Sequence, residues 1–148
     1  MIQRMDELSK FAENRKDKTV LTGQSALAAN GLIAGYFIFV IQTDIKNLNG
    51  VSLGNIVFEY YHLWDMNNYL NESEKGVYVP TPERAIIDCM VWQDENRDEG
   101  FLIEALQTYQ EKHKVSDLYE CADHYLVPHE VVDYWWREAE EEDDMSMG

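Results

Sequence analysis

Residues 36 to 43, "YFIFVIQT", form a nearly unbroken run of β-branched and aromatic side chains. Alternation of apolar and polar residues would mark a strand with one wet face. A run without alternation marks a strand covered on both faces, and so a sheet packed with helices, with this strand near its centre. Its most apolar part, Tyr36 to Ile41, falls far short of the ~20 residues that a membrane-spanning helix needs. A chain of 148 residues, 45% hydrophobic and 12% aromatic, can bury a sizeable core as one domain.

Other elements follow from spacing and punctuation. Ile2, Met5, Leu8, Phe11 and Ala12 fall on one face of an opening helix that ends at the polar turn 14–18. In "TVLTGQSALAANGL" Thr22 is the expected N-cap of a short helix of small residues, with Gly31 as its left-handed stop. Ser25, Ala26, Ala28 and Ala29 would let that helix lie close against the sheet. "NIVFEYYHL" reads as a second strand and "VYV" as a third, with "KNLNG" a turn and "WDMNNYLNESEKG" an unpatterned connection.

The remainder reads as helices. One carries Phe101, Leu102, Ala105, Leu106 and Tyr109 on its inner face. A second starts at Ser116 and buries Leu118, Cys121, Ala122, Tyr125 and Leu126. Pro128 breaks the chain before a third, with Val131, Val132, Trp135 and Trp136. From Glu138 onward six acids fall within seven residues, which predicts a frayed helix end or a disordered tail over 138–148. The fold class is α+β: a small mixed β-sheet packed with helices, a helical C-terminal half, and one domain.

Charge narrows the partners. Twelve basic against twenty-eight acidic residues give −16, and −10 remains without the terminal acids. Such a chain repels phosphate backbones and anionic lipid, so neither nucleic acid nor membrane is an expected partner. A protein with a basic surface is. Cys89 and Cys121 lie in apolar helical patterns and not in a CxxC pair, as buried thiols of a cytoplasmic protein would. His62, His113, His124 and His129 have no metal-ligand spacing, and no glycine-rich phosphate loop occurs. No catalytic, cofactor or metal residue is assigned.

The one motif-like stretch is "VPTPERAIIDCM". Thr81 is an N-cap, Pro82 occupies the first helical position, and Glu83 meets the positive end of the helix dipole. Arg84 and Asp88, four residues apart, suit an ion pair, and Ile86, Ile87, Met90 and Val91 suit a buried face. A paired-carboxylate site would need a metal or histidine beside Glu83 and Asp88. None stands at a recognised spacing, so the motif reads as a structural junction.

"LTGQSALAANGL" followed by "VYVPTPERAIIDCM" and a helical tail with "VSDLYECADHY" resembles the C-terminal domain of AbiEi-type antitoxins, from abortive-infection toxin–antitoxin operons. Ser25, Ala26, Leu27, Gly31 and Leu32 match the first block of that family, and Pro82, Glu83, Arg84 and Asp88 the second. The likeness covers about residues 19–137. It implies a non-enzymatic antitoxin-like protein that binds or counteracts a nucleotidyltransferase-type toxin. The family's N-terminal winged helix has no counterpart in residues 1–18, read as a helix, so operator binding is not expected. Expected contacts with a basic partner are Tyr134, Trp135, Trp136, Glu138 and Glu140, aromatics among acids on the last helix. Pairing of two copies through the same helix is a further expectation. The alternative is an acidic inhibitor, of phage or mobile-element origin, that mimics nucleic acid and blocks a host nuclease or defence complex.

Overall fold

The computed structural model describes residues 2–13, 18–34, 39–43, 45–60, 67–74, 76–96 and 99–147. Helix α1 (Ile2–Glu13) places Leu8 and Ala12 in the core. Strand β1 (Thr19–Val20) then leads into the small-residue helix α2 (Gly23–Ala29). Strand β2 (Phe39–Thr43) comes next, buried at all five residues, which explains its lack of alternation. Strands β3 (Ser52–Leu53) and β4 (Ile56–Tyr60) form a hairpin, and β5 (Leu70–Glu74) and β6 (Val77–Pro80) form another. Residues 61–63 of the strand expected as "NIVFEYYHL" lie outside the described residues, as do 36–38 of "YFIFVIQT".

Two three-stranded mixed sheets result, ordered β1-β6-β5 and β2-β4-β3. Each combines one parallel pair, β1 with β6 or β2 with β4, and one antiparallel pair. A bridge between Leu21 and Ile41, with the Thr22 amide donating to the Val40 carbonyl at 2.8 Å, joins them. The fully buried strands β1 and β2 thus lie side by side, and the exposed strand β3 and the mostly polar strand β5 form the outer edges. Strand β5 was unpredicted because its sequence, "LNESE", supplies almost no apolar signal; the backbone of β6 holds it.

Four helices complete the chain: α3 (Pro82–Asn96), α4 (Glu99–Gln110), α5 (Tyr119–His124) and α6 (His129–Met147). One core runs from Leu8 of α1 through Ile41, Ile86 and Leu106 to Val132 and Ala139 of α6. This is the α+β architecture that the patterning predicts. Among the described residues, no helix is long and apolar enough to cross a membrane.

Several local expectations are corrected. The helix expected from Ser116 starts only at Tyr119: a 3-10 turn at Val115–Leu118 precedes α5, and Asp117 accepts from the Lys114 amide, three residues earlier, at 2.9 Å. Val91 is 42% exposed, because it turns off the buried face formed by Ile86, Ile87 and Met90. Leu126 is 89% exposed and not on the inner face of α5, because that helix has ended by then. The backbone of α6 is helical through the acidic block to Met147. Ala139 is fully buried, and its carbonyl accepts from Gln107 Nε2 at 3.3 Å, so α4 holds this part of the helix.

Candidate functional site

The two sequence blocks meet in space. Helix α2 approaches β2 closely because its residues are small: Ser25 Oγ accepts from the Val40 amide at 2.8 Å. Gly31 has φ +71 and stops α2 as expected, with its amide bonded to the Ala28 carbonyl at 3.0 Å. Thr22 holds the N-cap backbone position, yet its hydroxyl does not cap α2; it donates to Asp88 Oδ2 on α3. Asn30 Nδ2 ties the end of α2 to the Pro80 carbonyl at 2.9 Å. The first block is therefore stitched to the second at both ends.

Helix α3 starts as its sequence predicts, with Thr81 Oγ1 accepting from the Arg84 amide at 3.3 Å and Pro82 in the first helical position. Glu83 accepts from the Tyr109 hydroxyl on α4 at 2.7 Å. Arg84 is 1% exposed. Its guanidinium donates to the Asn68 carbonyl and to Gln42 Oε1, both at 2.7 Å, and lies 5.5 Å from the centre of the Tyr125 ring. These partners replace the simple i,i+4 pair expected with Asp88. Arg84 thus links α3 to β2, to the segment before β5 and to the turn after α5.

Asp88 is 4% exposed, and its Oδ1 has no hydrogen-bond partner among the described residues. Burial pushes its carboxyl up to about 6; the Thr22 hydroxyl, the Arg84 charge and the Gly23 amide oppose that rise without cancelling it. Burial also pushes the Cys121 thiol up to about 12, which leaves it a poor nucleophile at neutral pH. The Tyr109 hydroxyl is raised as well, by burial and by its bond to Glu83. Glu83 and Arg84 are thus engaged by residues of α4, β2 and the segment before β5, and Asp88 by Thr22.

Among the described residues, the histidines pack on aromatic rings, two of which, Tyr109 and Tyr125, are partners of this joint. His113 stacks on Tyr109 at 4.1 Å and faces Asp117 at 3.3 Å. His129 stacks on Tyr119 at 3.9 Å and meets Asp123 at 2.7 Å, while His124 packs edge-on against Tyr69 and Tyr125. His62 lies outside the described residues. Among the described residues, no group of three or more His, Cys, Asp or Glu side chains could hold a metal.

The expected partner-binding residues of α6 divide between two faces. Val132 and Ala139, two turns apart, are buried, and Trp135 and Trp136 flank them, half-buried against the core. Trp136 meets Tyr109 edge-on at 6.2 Å, and its carbonyl accepts from Gln110 Nε2 at 3.0 Å. Trp136 therefore serves first as a lid on α4, and Trp135 packs against the core. Tyr134 is 49% exposed, Glu138 half-buried and Glu140 exposed. A groove of about 430 Å³ opens beside Trp136, lined by Val115, Tyr119, Asp133 and Arg137.

Sequence reasoning missed Gln42, Tyr109 and Tyr125 as partners of the motif. Gln42 alone carried a signal, as a polar residue inside an otherwise apolar run. In comparisons with known proteins, neither a family model nor a curated protein matches this chain.

Proposed function

We propose that this chain is a non-enzymatic binding protein, resident in the cytoplasm, whose acidic surface docks on a protein with a basic face. The partner class is that suggested by the resemblance to AbiEi-type antitoxins, a nucleotidyltransferase-type toxin. The observation that carries the reading is the fate of the motif: Arg84 and Asp88 are at most 4% exposed, and Glu83 is engaged by Tyr109. Chemistry at those groups would require opening the core. What a partner meets instead is acid, including Glu111, Glu120, Asp123, Glu130, Glu140 and Glu141, all exposed, in a chain of net charge −16. A surface of this sign attracts and orients a basic protein and repels nucleic acid.

The test is affinity capture on the full chain from its host's lysate at low and high salt, with identification of what is retained. Capture of one nucleotidyltransferase-like protein, released by salt, would support the reading. A nuclease displaced by duplex DNA would favour a nucleic-acid mimic instead. Turnover of a substrate by the purified chain would refute a purely binding role.

A further inference from the structure

Joined at the Leu21–Ile41 bridge, the described strands run in the order β3-β4-β2-β1-β6-β5, and the two outer edges are built differently. An outer edge presents unpaired backbone groups that invite another strand, and charges or irregularities normally guard it. Strand β5 is guarded in this way, with Glu72 and Glu74 among its residues and a shift of register between them. Strand β3 carries neither a charge nor a proline. Around it, residues 45–58 hold Lys46 as their only charged residue, in a chain with twenty-eight acids.

The β3 edge is also apolar. Leu53 lies opposite Ile56, and the Phe58 amide donates to the Val51 carbonyl at 2.9 Å, so Val51 and Leu53 share the sheet face of Ile56 and Phe58. Phe58 is buried on that face beside the Phe11 ring of α1, and Ile56 is half-buried. Towards the edge, Val51 is 39% and Leu53 54% exposed, so the core face of the sheet runs out into solvent. Between these two residues Ser52 stands opposite Val57, in the alternate pair of the ladder that exchanges no backbone bonds. Its N–H and carbonyl therefore point away from β4, towards the open edge.

We propose that β3 pairs with β3 of a second copy of this chain, antiparallel about a two-fold axis at Ser52. The register is self-complementary. Ser52 and the partner's Ser52 exchange two N–H···O bonds, and Leu53 of each copy meets Val51 of the other, which continues the apolar face across the axis. Charge selects a second copy over a basic protein, because this edge offers no acid for such a protein to meet. The acids elsewhere on the two copies are screened beyond about 8 Å at physiological salt. Two backbone bonds and a few apolar side chains fall short of the ~1,200 Å² that a standard complex buries, so the dimer is weak and concentration-dependent. The contact is independent of the acidic docking proposed above.

Sedimentation equilibrium of the full chain, from about 5 to 500 µM and at low and high salt, tests this on the wild type, Leu53→Glu, Ser52→Pro and Tyr134→Ala. The expected result is a monomer–dimer equilibrium that tightens with salt, because two chains of −16 repel each other less when screened. Leu53→Glu and Ser52→Pro should each weaken it at least about tenfold, by a guarding charge and by loss of the outward N–H, and Tyr134→Ala less than about twofold. Leu53 is exposed and the Ser52 N–H faces outward, so both variants should keep the wild-type circular dichroism spectrum; if Leu53→Glu fails to fold, Ser52→Pro decides the test. A chain that stays monomeric over the whole range would overturn the proposal. A dimer weakened by Tyr134→Ala and not by Leu53→Glu would overturn it too, by placing the contact on α6. So would a dimer indifferent to Ser52→Pro, whose contact would be apolar and not a pairing of strands.

Discussion

At the joint between α2, β2 and α3, Arg84 is 1% exposed and Asp88 4%; at the turn between α5 and α6, Leu126 is 89% exposed. The first region buries side chains that water would normally hold. Gln42 and the Asn68 carbonyl are placed to accept from Arg84, and Thr22 donates to one oxygen of Asp88, while the other has no partner among the described residues. The second region leaves in water a side chain that a core would normally hold, on a backbone better suited to glycine. Arg84 is thus held by named partners in the first region, while in the second the turn's hydrogen bonds and the buried Val127 hold a left-handed leucine in place.

The comparison breaks most severely if Arg84 is dispensable. Arg84→Met strands Gln42 and the Asn68 carbonyl and removes the charge nearest a buried carboxyl. It should cost about 3–5 kcal/mol in urea unfolding. Acid titration sharpens the same region. Burial holds the Asp88 carboxyl at about 6 against an ordinary 3.8, so the folded chain keeps a proton that the unfolded chain has lost between those values. Stability should therefore fall as pH rises from about 4 through 6, by up to ~3 kcal/mol, and Asp88→Asn should flatten that slope. A slope unchanged in Asp88→Asn would assign it to other carboxylates.

Smaller effects test the two helix ends. Gly31→Ala places a Cβ where nothing lies within 4 Å, so backbone strain dominates, at about 1–2 kcal/mol of lost stability. Leu126→Gly is an exchange in the opposite direction and should gain about 0.5–1 kcal/mol by thermal unfolding. Tyr134→Ala, on the outer face of α6, should lie within about 0.5 kcal/mol of the wild type.

Much of this was legible in the sequence because it is local. Thr81, Pro82 and Gly31 act on backbone within a few residues, and the apolar run ending at Thr43 reports burial directly. Arg84 was not legible, since its partners Gln42 and Asn68 stand 42 and 16 residues away and converge only in the fold. Thr22 has the chemistry of a cap, and a tertiary contact with Asp88 overrides it. Strand β5 is held by backbone pairing that side-chain patterns do not encode. Leu126 had the apolar character of an inner-face residue, and only the end of α5 two residues earlier, at His124, turns it outward.

The most direct test of the central claim, that the motif is a tertiary joint, is a double-mutant cycle between Arg84→Met and Gln42→Leu, read by urea unfolding. Their 2.7 Å contact joins α3 to β2, and a coupling of about 1–3 kcal/mol is expected. Additive effects, with coupling within about 0.5 kcal/mol of zero, would contradict the joint and return Glu83, Arg84 and Asp88 to consideration as a working site.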